Sequence, residues 1–150
     1  MVQLTLPEFA EKMDQIMPVI MREFARRQVK EIYEGKITMP QFLVLDFLHK
    51  NGEISMKPLS VSMKVSTAAM TGLVERLVRD GYAVRGYDPQ DRRIVKVDLT
   101  SKGKELVRKV HLQRRQMVIN VFDKINEADR GDYLRVVERI RDVLIKDSRD

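Results

Sequence analysis

Apolar positions along this chain recur mostly every three or four residues, and they alternate with polar ones only near the middle, in one short stretch and one longer region. Between residues 7 and 34, Phe9, Met13, Ile16, Met17, Ile20 and Phe24 keep the helical spacing, which predicts an amphipathic helix closed by Gly35. Pro18 lies inside that stripe and predicts a kink, or a later start for the longer piece. Thr38 followed by Gln41 has the spacing of a capping box, with Pro40 in the first turn where a missing N–H does no harm. The helix it opens buries Phe42, Leu45, Phe47 and Leu48 and ends at Asn51 and Gly52. Glu53 to Met56 is short and alternating, which predicts a small strand. Pro58 then opens a short helix over Leu59 to Val65, with Leu59 and Met63 inward. Ser66 caps a further helix from Thr67 to Arg79, whose inner stripe is Met70, Leu73, Val74 and Leu77 and whose end is Asp80 and Gly81.

The alternating region follows. Tyr82 to Tyr87 predicts one strand, and the residues from Asp88 to Asp91 a turn with proline at its favoured second position. Ile94 to Leu99 predicts a second strand, with Val95, Val97 and Leu99 on one face and Lys96 and Asp98 on the other. Thr100 caps a long helix to about Lys124 with Leu106, Val110, Met117 and Val121 inward. Asn126 caps a last helix striped by Leu134, Val137, Ile140 and Leu144. The predicted fold is mainly α with a small β-wing: a winged helix-turn-helix between long terminal helices, with no internal repeat.

Composition changes this picture little; the location of the charge changes it more. At 150 residues, 43% of them hydrophobic, the chain is long enough for one domain with its own core. No run of apolar residues is long enough to cross a bilayer, and Glu8 and Glu11 stand where a secretory signal would be basic and then apolar. Cysteine is absent, so no disulfide, thiol switch or thiolate metal site is available, and a cytoplasmic, nucleoid-associated location is expected. The net charge is +6, but its excess is confined to residues 57–124. Residues 57–103 hold 9 Lys/Arg against 5 Asp/Glu and residues 104–124 hold 6 against 2, whereas both ends are close to neutral. A basic middle between neutral ends is an electrostatic footprint for a polyanion.

The candidate chemistry lies in that middle. Arg92 and Arg93 stand at the tip of the predicted hairpin, where a guanidinium can enter a narrow minor groove. Asp91 is placed to hold the Arg93 side chain by a charge-assisted bond; the bland alternative is a weak, solvated surface pair. On the helix beside it, Ser66, Thr67, Ala68 and Thr71 form the exposed N-terminal part that would face base edges. No Arg, Asn or Gln occurs between Ser66 and Glu75, so bidentate contacts to guanine or adenine are absent there. Arg76 and Lys96 are phosphate-contact candidates, with Lys57, Lys64, Arg79 and Arg85 behind them; any of these taken singly is more often a solvated charge. His49 and His111 are 62 positions apart and predict neither a metal nor a catalytic site. With no nucleophile elbow and no glycine-rich phosphate loop, no enzyme or cofactor is expected.

These residues resemble the MarR family of bacterial transcriptional regulators. Asp91, Arg93, Val97, Leu99, Thr100 and Gly103 carry that family's D-x-R-x-x-x-[VL]-x-L-T-x-x-G wing pattern, and Ser66 to Gly81 resembles its recognition helix. The resemblance implies one domain over residues 1–150: a winged-helix core at 38–103, and dimerisation helices at 1–37 and 104–150. It implies a homodimeric repressor that binds a pseudo-palindromic operator in double-stranded DNA and is released by a small, often aromatic or phenolic, acid. Met13, Met17, Met21, Phe24 and Met39 are the residues that could line such a ligand's pocket, although core packing explains the same pattern. The alternatives are a ligand-independent or architectural DNA-binding protein and a winged-helix adaptor for protein contacts.

Overall fold

In the computed structural model, residues 4–27 and 35–148 are described. Their elements run α1 (Leu6–Arg26), α2 (Met39–Asn51), β1 (Ile54–Ser55), α3 (Met56–Ser62), α4 (Thr67–Arg79), β2 (Ala83–Tyr87), β3 (Val95–Leu99), α5 (Ser101–Phe122) and α6 (Glu127–Asp147). The chain divides into two compact units, Met1–Leu112 and Gln113–Asp150, with the boundary inside α5. Among the described residues no helix is long and apolar enough to cross a membrane.

Local chemistry sets most of the boundaries. A full capping box at Thr5 and Glu8, which the apolar stripe does not reveal, starts α1 at Leu6. Pro18 does not break it; the helix continues through to Arg26, and the expected extension over 28–34 lies outside the described residues. The Thr38–Gln41 box opens α2 as predicted, with the Thr38 N–H donating to Gln41 Oε1 at 2.8 Å. Helix α3 begins two residues before Pro58 and stops at Ser62, three residues earlier than the spacing predicts. The reason is Lys64, which takes a left-handed φ of 53° and turns the chain toward α4.

The core of the first unit is built by the helices and strands that follow α1. Phe42, Val44, Leu45 and Leu48 of α2 meet Leu59 of α3, Met70, Val74 and Leu77 of α4, Val97 and Leu99 of β3, and Leu106, Val107 and Val110 of α5, none more than 7% exposed. Each such side chain contributes about 1.5–3 kcal/mol by leaving water. The sheet order is β1-β3-β2, wholly antiparallel, with Ala83 opposite Leu99 and Tyr87 opposite Val95. Beyond Leu112, Met117 and Val121 are only half-buried, in contrast to the inward positions predicted for them. In the second unit, Asn126 caps α6 as expected, and the rings of Phe122 and Tyr133 lie 5.2 Å apart.

One joint explains part of the wing pattern. The Thr100 hydroxyl donates to Gly81 O at 2.6 Å and accepts from Gly103 N at 3.1 Å, tying the end of α4 to the start of α5. A Cβ on Gly103 would stand 2.1 Å from the Tyr82 carbonyl oxygen, so only glycine fits. Lys102 closes the joint from outside, donating to Asp80 O at 2.7 Å with its ammonium 4.4 Å from the Tyr82 ring centroid.

Candidate nucleic-acid interface

Helices α3 and α4 form a helix-turn-helix, and β2 with β3 forms the wing beside it. Ser66 accepts from Ala69 N at 3.1 Å, which fixes where α4 begins. With Met70, Val74 and Leu77 buried, the opposite side of α4 must face outward: Ser66, Thr67, Ala68, Glu75 and Arg76 are exposed and Thr71 is half-buried. Helix packing already occupies part of this hydroxyl surface, because Thr71 donates its proton to Thr67 O at 2.8 Å. Thr71 is therefore left as an acceptor, and Thr67 and Ser66 keep a proton to donate.

The wing loop is organised by two carboxylates. Asp88 Oδ1 accepts from Gln90 N at 2.8 Å and Asp91 N at 3.2 Å, while Asp91 Oδ1 accepts from Arg93 N at 2.9 Å. Asp91 thus holds Arg93 by its backbone N–H, not by its guanidinium as the spacing predicts. The physical reason is local: an aspartate reaches the amide two residues on in an Asx turn more readily than a flexible side chain end. Arg92 and Arg93 are both exposed, and among the described residues neither has an ion-pair partner; the same is true of Arg76.

Lys96 is differently placed. Its ammonium lies 2.9 Å from Asp88 Oδ2 and 3.5 Å from Glu53 Oε1, and its side chain is only 29% exposed. The Lys96 hydrogen bond is the main cause holding the Asp88 carboxyl below the usual aspartate range, and the same bond raises the Lys96 pKa.

A groove of about 530 Å³ joins the pieces. Thr67 and Thr71 of α4 form one wall, Met56 to Pro58 of α3 the floor, and Arg93 to Val95 of the wing the other wall. Of the residues predicted from sequence to meet DNA, Thr67, Thr71, Arg93 and the phosphate candidate Lys57 share this groove. Ser66 and Ala68 lie on the same exposed turn of α4, and Asp91 and Arg92 belong to the loop above. Two features escaped the sequence reading. Arg85 on β2 approaches Glu75 on α4 at 3.9 Å, drawing that carboxylate toward the wing. Tyr87 is 69% exposed and pairs with Val95 across the strands, which puts it on the same face of the sheet as that groove residue. The parity was readable; which face met the groove was not.

The residues considered for a small ligand do not line this groove. Met13, Met17, Met21 and Phe24 follow one another along α1, with Met21 65% exposed, whereas Met39 packs against the core at the start of α2. The two histidines, remote in sequence, meet: their ring centroids are 6.1 Å apart and His111 Nε2 lies 2.7 Å from Asp46 Oδ1. Among the described residues no group of three or more His, Cys, Asp or Glu side chains could hold a metal ion.

Comparison with known proteins agrees with this geometry. Residues 37–95, which include the helix-turn-helix and reach the start of β3, match the MarR family model. The uncharacterised HTH-type transcriptional regulator YsmB of Bacillus subtilis is 28% identical over 93 residues, covering 62% of this chain and 64% of YsmB. The HTH-type transcriptional repressor YetL of the same organism is 33% identical over 101 residues, covering 67% of this chain and 55% of YetL. The matched stretch therefore spans just under two thirds of YsmB and about half of YetL. Among solved structures, Streptococcus pneumoniae FabT in complex with DNA superposes with a TM-score of 0.77 at 20% identity, covering 91% of this chain and 98% of FabT, a likeness of fold.

Proposed function

We propose that this chain, whose residues 37–95 match the MarR family model, is a MarR-family DNA-binding repressor that acts as a homodimer on a pseudo-palindromic operator. The observation that carries this reading is the groove shared by the α4 hydroxyl face and the wing, with Arg93 on its wall and Arg92 beside it, neither with an ion-pair partner among the described residues. It lies in the part of the chain where positive charge is in excess, and a protein of the same fold has been solved with DNA. Thr67 and Ser66 offer hydroxyl contacts and Ala68 an apolar surface for a thymine methyl, while Arg93 reaches into the adjoining minor groove. With so little bidentate capacity on α4, the wing supplies a large share of recognition. Arg76 serves the phosphates.

Dimerisation is supported by the terminal helices. Neither α1 nor α6 has a buried residue, and Phe9, Ile16, Leu134, Ile140 and Leu144 are all about half exposed or more, at 49%, 51%, 59%, 50% and 61%. A two-fold dimer sets its reading helices about 34–36 Å apart, in successive major grooves. Release by a small aromatic acid against the methionines of α1 is the finer part of the proposal. Such a ligand shifts the population only by its difference in affinity between the DNA-competent and incompetent states.

Selection of bound fragments from genomic DNA at a fixed salt concentration tests the reading. The expected product is a two-fold site with half-site centres one helical turn apart. Arg93→Ala should weaken that complex by roughly 1–3 kcal/mol per half-site. Recovery of no preferred sequence, or an Arg93→Ala protein that binds as well as the parent, would remove the proposal's basis.

A further inference from the structure

We infer that Lys96 is a positioning residue for the wing-tip arginine, acting through Asp88, and not one of the cations that grip phosphate. The inference rests on the DNA-binding reading above and assigns this lysine a different part in it. A chain of contacts leads from β3 to the loop tip. Lys96 Nζ holds Asp88 Oδ2 at 2.9 Å; the other oxygen of that carboxylate accepts the N–H groups of Gln90 and Asp91 at 2.8 and 3.2 Å. Asp91 in turn accepts Arg93 N at 2.9 Å. The loop is closed by backbone bonds from Asp88 N to Ile94 O at 2.9 Å and from Ile94 N to Asp91 O at 3.0 Å. Lys96 also reaches Glu53 at 3.5 Å, so it fastens the loop to the residue that precedes β1.

Two contrasts separate Lys96 from its cationic neighbours. Arg92 and Arg93 are exposed and have no ion-pair partner among the described residues, as free phosphate or groove ligands should be. Lys96 already has two carboxylates, and its side chain and that of Asp88 are only 29% and 20% exposed. A phosphate approaching it would meet the negative charge of those two carboxylates. Without the ammonium, Asp88 loses its counter-charge, and the carboxylate that organises the loop is free to turn to water. The entropy then recovered by the loop must be lost again when Arg93 enters DNA.

The test combines the free protein with the complex. In DNA-free protein, backbone order parameters at residues 90–93 should be near the rigid value of ~0.85 and should fall below ~0.6 in Lys96→Met, with Lys96→Arg restoring them. Unchanged order parameters in Lys96→Met overturn the inference, whether or not the protein binds DNA. With the selected duplex, Lys96→Met and Asp88→Asn should each weaken binding about tenfold, a difference of about 1.4 kcal/mol, with the slope of log affinity against log salt unchanged. In an Arg93→Ala background, Lys96→Met should cost less than about twofold, because the two act as one unit.

A phosphate contact predicts the opposite signs. Asp88→Asn would then tighten binding by freeing a cation and removing an anion, and Lys96→Met would lower the salt slope by about one per head. Either result overturns the inference and leaves the DNA-binding reading standing. Failure of the parent protein to select any duplex, with the wing loop still loosened by Lys96→Met, would sink the DNA reading instead.

Discussion

Helices α4 and α6 carry the same apolar spacing and meet opposite fates. On α4, Met70, Val74 and Leu77 are completely buried among α2, α3 and the sheet. On α6, Leu134, Ile140 and Leu144 stay 59%, 50% and 61% exposed, and Val143 beside them is 57% exposed. α1 is like α6, without a single buried residue among those described. An i, i+3, i+4 stripe thus says which face is apolar and nothing about what covers it. The middle of the chain buries its stripe in its own core, whereas α1 and α6 each leave an apolar stripe exposed. That contrast is why the reading head can be argued from one chain, and why a second copy is proposed as the cover of the terminal helices.

The largest expected effect comes from breaking the uncovered side of the contrast. Ile140→Glu with Leu144→Glu puts two charges on the α6 stripe, and each charge carried into an apolar interface costs several kcal/mol. Sedimentation equilibrium should find the parent protein dimeric and the variant monomeric at micromolar concentration, its helical circular dichroism retained. An unchanged mass would mean that something other than a second copy covers α6.

Next comes the covered side. Gly103→Ala places a methyl where the Tyr82 carbonyl oxygen already stands, 2.1 Å away, and neither backbone can yield cheaply. A loss of about 3 kcal/mol is expected, read as a lower urea midpoint. A near-neutral result would show that the joint between α4 and α5 is looser than its hydrogen bonds imply. This glycine also marks how far the sequence could be read. The capping residues Thr38, Ser66 and Asn126, the stripe of α4 and the alternation of β3 were legible, because each depends on neighbours in the chain. Gly103 was legible only as part of a pattern; its necessity comes from a carbonyl twenty-one positions away. The groove is of the same kind, since Thr67 and Arg93 meet only once the sheet has formed. Asp91 was recognised as bracing Arg93 but through the guanidinium and not the backbone N–H, and the Lys96–Asp88 pair was not foreseen, because charge and spacing do not say which partner lies closest.

A smaller effect concerns the carboxylate inside the head. Burial tends to raise the pKa of Asp46, but hydrogen bonds from Lys50 at 2.6 Å and His111 at 2.7 Å outweigh it, and the net shift is downward. A depressed carboxylate stabilises the fold above its unfolded pKa and gives up that contribution as the pH falls through the folded value. The head should therefore hold its melting temperature near neutrality and lose stability below about pH 4, the ordinary aspartate range. Asp46→Asn should lower the melting temperature at pH 7 and flatten the acid limb. An acid limb of unchanged steepness would assign it to other carboxylates.

The smallest effect sits in the helix-turn-helix itself. Lys64 adopts a φ of 53°, with Lys64 N bonded to Val61 O and Val65 N to Ser60 O, both at 3.1 Å. A left-handed conformation costs a side-chain-bearing residue about 1–2 kcal/mol, and glycine avoids this at the expense of a more flexible unfolded chain. Lys64→Gly should accordingly stabilise the head by roughly 0.5–1 kcal/mol in urea unfolding, the balance of those two terms. The dimer dissociation constant should not move, since α1 and α6 are untouched. A turn that gained nothing from glycine would mean the left-handed residue is not strained, and the geometry between α3 and α4 would then have to be held by the buried contacts of Leu59 and Met70 alone.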